Sequence, residues 1–194
     1  MRVLFNHLLI HTHVYYISFK LFKMKKTILL FLIVIMTLSC QNNTTEQKQN
    51  IGEILSGNNK GSTYSLGSMD DAQLALDWSH AFTVKDFDFM TSENFTDSVF
   101  FYPPNSLKRV DMDIPTLRTL VTSMHDPYDS ISRSVYDVVP LIPSFDEELT
   151  VVMFPFTETR YRKDGEIENY RFFERHYIRG GKVRGVRKWS QEEE

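Results

Sequence analysis

Cysteine is the scarcest residue of this chain, with Cys40 the only one in 194 residues. A single thiol excludes an internal disulfide framework and any zinc site built on several cysteines. His80, His125 and His176 stand far apart with no ligand spacing between them, so no metal is expected. The chain also lacks a nucleophile elbow, a glycine-rich phosphate loop and an HExxH motif, and no cofactor is expected. Acidic residues are missing from the stretch before Cys40, which holds five cations (Arg2, Lys20, Lys23, Lys25 and Lys26). Setting these aside leaves 17 Lys+Arg against 25 Asp+Glu, a net charge of −8 from Cys40 onward. So acidic a chain does not suit a phosphate backbone, and nucleic acid is not an expected partner. The cations of 160–163, with Arg171, Arg175, Arg179 and Arg184, read instead as the solvated face of a sheet. What the chain does have is apolar content of 42% and aromatic content of 13%, ample for the core of one domain.

The first forty residues read as an address. From Met24 the chain runs MKKTILLFLIVIMTLSC: two lysines, a short apolar run from Ile28 to Met36, then small residues up to Cys40. That is the layout of a secretory signal, and the run is too short to span a bilayer as a stable helix. Ser39-Cys40, with Thr37 and Leu38 fitting loosely, resembles the lipobox of a bacterial lipoprotein. The resemblance implies a signal peptide over 1–39, with translation starting at Met24, and an acylated Cys40 as the membrane anchor. It places the protein in the bacterial cell envelope, at the outer membrane. Residues 40–68, rich in Asn, Gln, Ser, Thr and Gly, read as a flexible tether.

The folded domain is expected over 69–190, with an acidic tail at 191–194. Met69–Lys85 reads as a helix capped by Asp70 or Asp71, with Leu74, Trp78, Ala81 and Phe82 on one stripe. A short helix is expected over Asp86–Glu93 and a strand over Ser98–Tyr102. Asp113 caps a third helix, with Pro115 in its first turn and Leu117, Leu120, Val121 and Met124 on its stripe. Strands follow over Ile131–Leu141, Thr150–Arg162, Glu166–Arg179 and Lys182–Ser190. Asp164-Gly165 and Gly180-Gly181 supply two-residue hairpin turns. Helices first and an antiparallel sheet afterwards make an α+β domain.

Three pieces carry a further resemblance: Lys85-Asp86-Phe87-Asp88, then Asn94-Phe95-Thr96-Asp97-Ser98-Val99, then Gly181-Lys182-Val183 with Trp189 near the end of the last strand. In this order they resemble the nuclear transport factor 2-like superfamily, which includes SnoaL-like cyclases and ketosteroid isomerases. The resemblance implies a cone, a curved sheet packed on about three helices in a cystatin-like α+β arrangement, with a pocket at the open end. Members include enzymes, ligand carriers and interaction modules, so the fold leaves function open.

Two-residue turns would set the pairs Ile178–Val183, His176–Gly185, Glu174–Arg187 and Phe172–Trp189, and also Glu158–Arg171 and Phe156–Phe173. One face then carries Tyr170, Phe172, Glu174, His176, Ile178, Arg187 and Trp189, and is expected to be concave because it has fewer cations to desolvate. The other carries Phe154, Phe156, Phe173 and Tyr177 with Arg171, Arg175 and Arg184, and is the candidate surface for a homodimer. Pro155 is expected to force a bulge. By the resemblance, the isomerases' base falls on Tyr102, their tyrosine on Trp78 and their second acid near Glu174, so two of three chemical positions are replaced.

The candidate ligand pocket is therefore Trp78, Phe82, Tyr102, Phe172, Glu174, His176 and Arg187. The candidate catalytic pair is Glu174 and His176, weighed against a plain Glu174–Arg187 ion pair. Three functional readings follow. The leading one is an envelope lipoprotein that binds a small hydrophobic ligand or a protein partner without catalysis. The second is an isomerase, cyclase or dehydratase using Glu174 and His176. The third is a dimerisation or docking module.

Overall fold

The computed structural model of the chain describes residues 49–192. The signal peptide and acylated Cys40 expected from the sequence, with the first part of the expected tether, lie outside the described residues. Helix α1 (Met69–Val84) starts at Ser68, whose hydroxyl accepts the Asp70 N–H at 3.0 Å. Ser68 is therefore the cap, and Asp70 and Asp71 occupy the first turn, where carboxylates favour the helix dipole. The helix ends at Lys85 in a left-handed conformation (φ 61°), unusual without glycine, and its ammonium donates to the carbonyls of Tyr128 and Asp129. The short helix expected next is a single 3-10 turn over Phe87–Phe89. Helix α2 (Ile114–His125) has the expected cap, the Asp113 carboxylate accepting from Thr116 N–H at 2.9 Å. Both helices lay their apolar stripes on one face of a single sheet, and the core fills the space between. Among the described residues no helix is long and apolar enough to cross a membrane.

The strands are β1 (Tyr64–Leu66), β2 (Phe95–Tyr102), β3 (Val110–Asp113), β4 (Tyr128–Val135), β5 (Val139–Pro143), β6 (Leu149–Arg162), β7 (Ile167–Arg179) and β8 (Lys182–Glu192). Their order is β1-β5-β6-β7-β8-β2-β3, with β4 also pairing β6; among the described residues only β2–β8 is parallel. The result is a curved, unclosed α+β sheet with two helices on its inner face. Strand β1 corrects the tether: Tyr64–Leu66 pairs with Leu141–Pro143, so the end of the 40–68 segment belongs to the sheet.

Four further expectations change. The strand over Ile131–Leu141 is two strands, β4 and β5, that occupy successive stretches of the same β6 edge. Their junction faces Pro155, whose carbonyl accepts from Tyr136 N–H and which has no N–H to offer that edge. The ladder with β7 runs straight through Pro155 (opposite Phe173), so the expected bulge is absent and the proline breaks the neighbouring strand instead.

The β6–β7 turn holds three residues rather than two. Arg162 N–H donates to Glu166 O at 2.9 Å, and Gly165 takes φ +89°. The extra residue slides the register by one, so Phe156 faces Phe172 and Glu158 faces Tyr170. The β7–β8 turn is the expected two-residue one, both glycines at positive φ (57° and 69°), and Ile178 does pair Val183. Immediately beyond, however, the ladder shifts, Tyr177 opposing Gly185 with Arg184 extra. From that bulge onward His176 pairs Val186, Glu174 pairs Lys188 and Phe172 pairs Ser190, in place of Gly185, Arg187 and Trp189.

Candidate functional site

The two register shifts decide what the inner face contains. Phe154 and Phe156 turn inward beside Phe172, Glu174 and His176, so they leave the surface proposed for a homodimer. Arg187 and Trp189 turn outward, and Lys188 takes the inward place with 6% of its surface exposed. Bounded by this face and the two helices is a partly open cavity of about 60 Å³. At 10–15 Å³ per water it has room for about four waters or the end of a small ligand. Its walls are Trp78 and Phe82 from α1, Phe95, Val99 and Phe101 from β2, Leu117 and Val121 from α2, and Val186 from β8. Trp78 is fixed edge-on to Phe95 at 5.1 Å and stacked on Phe89 at 6.2 Å. Three charged side chains also line the cavity: Arg133 from β4, Glu174 from β7 and Lys188 from β8.

These three belong to a continuous buried ionic cluster. Glu158, fully buried on β6, accepts from Arg133 Nε at 2.5 Å and from Arg160 Nε at 2.6 Å. Arg133 also donates to Ser79 Oγ at 2.9 Å and lies between the rings of Phe82 (4.3 Å) and Phe156 (4.6 Å). Lys188 Nζ stands 3.3 Å from Glu174 Oε1, 3.9 Å from Glu158 Oε2 and 3.6 Å from the centre of the Phe172 ring. The other Glu174 oxygen meets His176 Nε2 at 2.7 Å. With Glu174 ionised that nitrogen carries the proton, and His176 Nδ1 is buried with no hydrogen-bond partner.

The electrostatics follow from this packing. Burial pushes the Glu174 carboxyl up, but the Lys188 charge, the His176 hydrogen bond and Arg133 outweigh it and hold the group well below the usual carboxylate range. Glu158 is depressed in the same way: burial is opposed by Arg133, Lys188 and Arg160. Burial pulls Lys188 down to about 8, against Glu174 and Glu158 and with the help of Arg133 and Arg160. His125, in the last turn of α2, is buried against Phe82 and Phe87. Burial, Lys85 and Arg133 lower its pKa, which favours the neutral ring.

Of the sequence-derived candidates, Trp78, Phe82 and Glu174 line the cavity, while Phe172 and His176 sit behind it and support Lys188 and Glu174. Tyr102 and Arg187 do not reach it. Tyr102 pairs Arg187 on the opposite face, with the guanidinium 5.0 Å over the tyrosine ring and 4.8 Å over that of Trp189. The Glu174–Arg187 pair is thus corrected to Glu174–Lys188. Arg133, Glu158 and Lys188 were missed. Glu158 was readable, since it continues the two-residue alternation Phe154, Phe156, Glu158. Lys188 was not, because its orientation depends on the bulge.

No protein-family model matches the chain, and neither does any curated protein. Solved structures do match its shape. A nuclear transport factor 2-like protein from Anabaena variabilis is similar at 16% identity and a TM-score of 0.50, over 65% of this chain and 92% of that one. An LEH-like epoxide hydrolase from M. tuberculosis is similar at 12% identity and 0.50, over 64% and 84%. A putative polyketide cyclase from Acidithiobacillus ferrooxidans is similar at 10% and 0.50, over 66% and 91%. At these identities the likeness is one of fold. The domain has the nuclear transport factor 2-like fold, as the sequence resemblance implied.

Proposed function

We propose that this nuclear transport factor 2-like domain is a ligand-binding module of an envelope lipoprotein, taking a small hydrophobic molecule into the cavity under α1 and α2 without turning it over. The observation that carries this reading is the contrast within the cavity between apolar walls and a charged end neutralised from inside. Glu174 is held ionised by Lys188 and His176, so its carboxylate is a poor base and has no proton to give. The acid–base reading of Glu174 and His176 needed a raised pKa on Glu174, and the cluster pushes it the other way. Among the structural neighbours are an epoxide hydrolase and a putative polyketide cyclase, which keeps small-molecule chemistry as the rival reading.

Native mass spectrometry of the gently purified full chain tests binding. A co-purifying small molecule is expected, and so is its loss on Val99→Trp, which fills the cavity. Retention of the same molecule by that variant would count against the site. Support for the anchor is the lipobox-like Ser39-Cys40. Labelled palmitate should enter the wild-type chain, and its persistence in Cys40→Ala would refute acylation there.

A further inference from the structure

We infer that Lys188 captures a hydrophobic aldehyde as a reversible imine, with Glu174 as the counter-ion of the protonated product. This rests on the ligand-binding reading and names the class of ligand.

Lys188 is a buried amine at the charged end of an apolar cavity, and it is loosely held. Its nearest carboxylate oxygens stand at 3.3 and 3.9 Å, beyond the roughly 2.7–2.9 Å of a strong charge-assisted hydrogen bond. A guanidinium would serve better as a purely structural ion-pair partner, because its fork bonds a carboxylate in two places and keeps its charge when buried. The cluster already has two such groups on Glu158, Arg133 and Arg160. Lys188 is the cation of the cluster that can shed its proton and act as a nucleophile.

The groups facing it are Arg133 from β4, Glu158 and Arg160 from β6, and Glu174 and His176 from β7. Burial and the two arginines bring the amine down to about 8. On the order of a tenth of it is then unprotonated at pH 7, over a hundredfold more than for a solvent-exposed lysine.

The apolar walls select the ligand. An ionised hydrophobic acid would have to shed its hydration to enter, whereas a neutral aldehyde enters without adding charge. The lone pair of Nζ adds to the carbonyl carbon and a C–N bond forms. The carbonyl oxygen takes up protons and leaves as water. Ammonium plus aldehyde becomes protonated imine plus water, so the site keeps one positive charge, Glu174 keeps its partner, and no oxidant or reductant is needed.

The test uses the full-length chain in detergent, hexanal as probe and cyanoborohydride to fix the adduct, followed by lysine-resolved peptide mass analysis. Lys188 is expected to gain the mass of hexanal less one oxygen at least about tenfold faster than the exposed Lys60, Lys108 and Lys163. Its rate should rise with pH and level off above about 8, and the preference should vanish in urea. Lys188→Arg should lose this adduct alone. Labelling of the exposed lysines with Lys188 spared, or an equal pattern in native protein and urea, overturns the proposal. The comparison of native with unfolded wild type stands even if the variant does not fold. Binding of a neutral fluorescent probe, N-phenyl-1-naphthylamine, displaced by Val99→Trp, separates the two readings. Probe binding without a Lys188 adduct sinks the imine and leaves the ligand site; loss of both sinks the ligand site too.

Discussion

The two faces of the β7–β8 ladder use the same side chains to different ends. On the inner face Lys188 lies over Phe172 and Arg133 between Phe82 and Phe156, and every cation has a carboxylate beside it. On the outer face Arg187 lies over Tyr102 and Trp189, and Arg175 over Trp189 at 5.9 Å. There the Phe173 ring is 37% exposed. A cation over an aromatic ring is therefore not what makes a site in this protein. Withdrawal from water is. It forces carboxylate partners onto the cations, lowers the amine of Lys188 and leaves the resulting charges against an apolar cavity.

The sharpest way to break the comparison is Glu158→Ala. It leaves Arg133, Arg160 and Lys188 buried without their shared carboxylate and is expected to cost about 3–5 kcal/mol in chemical denaturation. Acid attacks the same face. The folded pKa values of Glu158, Glu174 and His125 all lie below their ordinary ones of 4.5, 4.5 and 6.5. In each case the unfolded chain binds protons first, so stability is full above the ordinary value and falls as pH drops below it. Melting temperature should decline mildly below pH 6.5 and steeply below 4.5. A Leu substitution of His125 that keeps the fold should remove the first decline. At the other end of the scale the unfolded lysine holds its proton between about 8 and 10.5 while folded Lys188 does not, so its contribution rises with pH there.

Gly185→Ala is expected to cost about 1–3 kcal/mol, because the added Cβ would lie 2.5 Å from the Phe100 ring. The smallest effect should be Arg187→Ala, roughly 1 kcal/mol for a half-buried cation–π contact, with no change in ligand binding. A loss of binding in that variant would contradict the outward placement of Arg187.

Much of the fold could be read from the chain itself. The stripes of both helices, the Asp113 cap and the Gly180-Gly181 turn follow from local rules, and so does the meander of long strands. The site was half legible. Trp78, Phe82 and Glu174 followed from helical spacing and strand alternation, and these needed only one element each to be right. Lys188 and Arg187 are neighbours, and choosing between them requires knowing that one residue of β8 goes unpaired. That bulge lies beside a tertiary contact, the Phe100 ring over Gly185, which no local pattern reports. Likewise Arg133 sits in a strand whose pattern is mostly exposed, and only its packing against α1 through Ser79 and Phe82 buries it.

The bulge at Arg184 therefore acts as a reading frame for the far end of β8. Were the bulge to close, with Arg184 pairing Tyr177, every side chain from Val186 to Ser190 would change sides: Arg187 and Trp189 would enter the cavity, and Lys188 would go out to solvent. A one-residue slip of the ladder would exchange an amine-ended pocket for one ended by a guanidinium and an indole, while the turn and the helices kept their places.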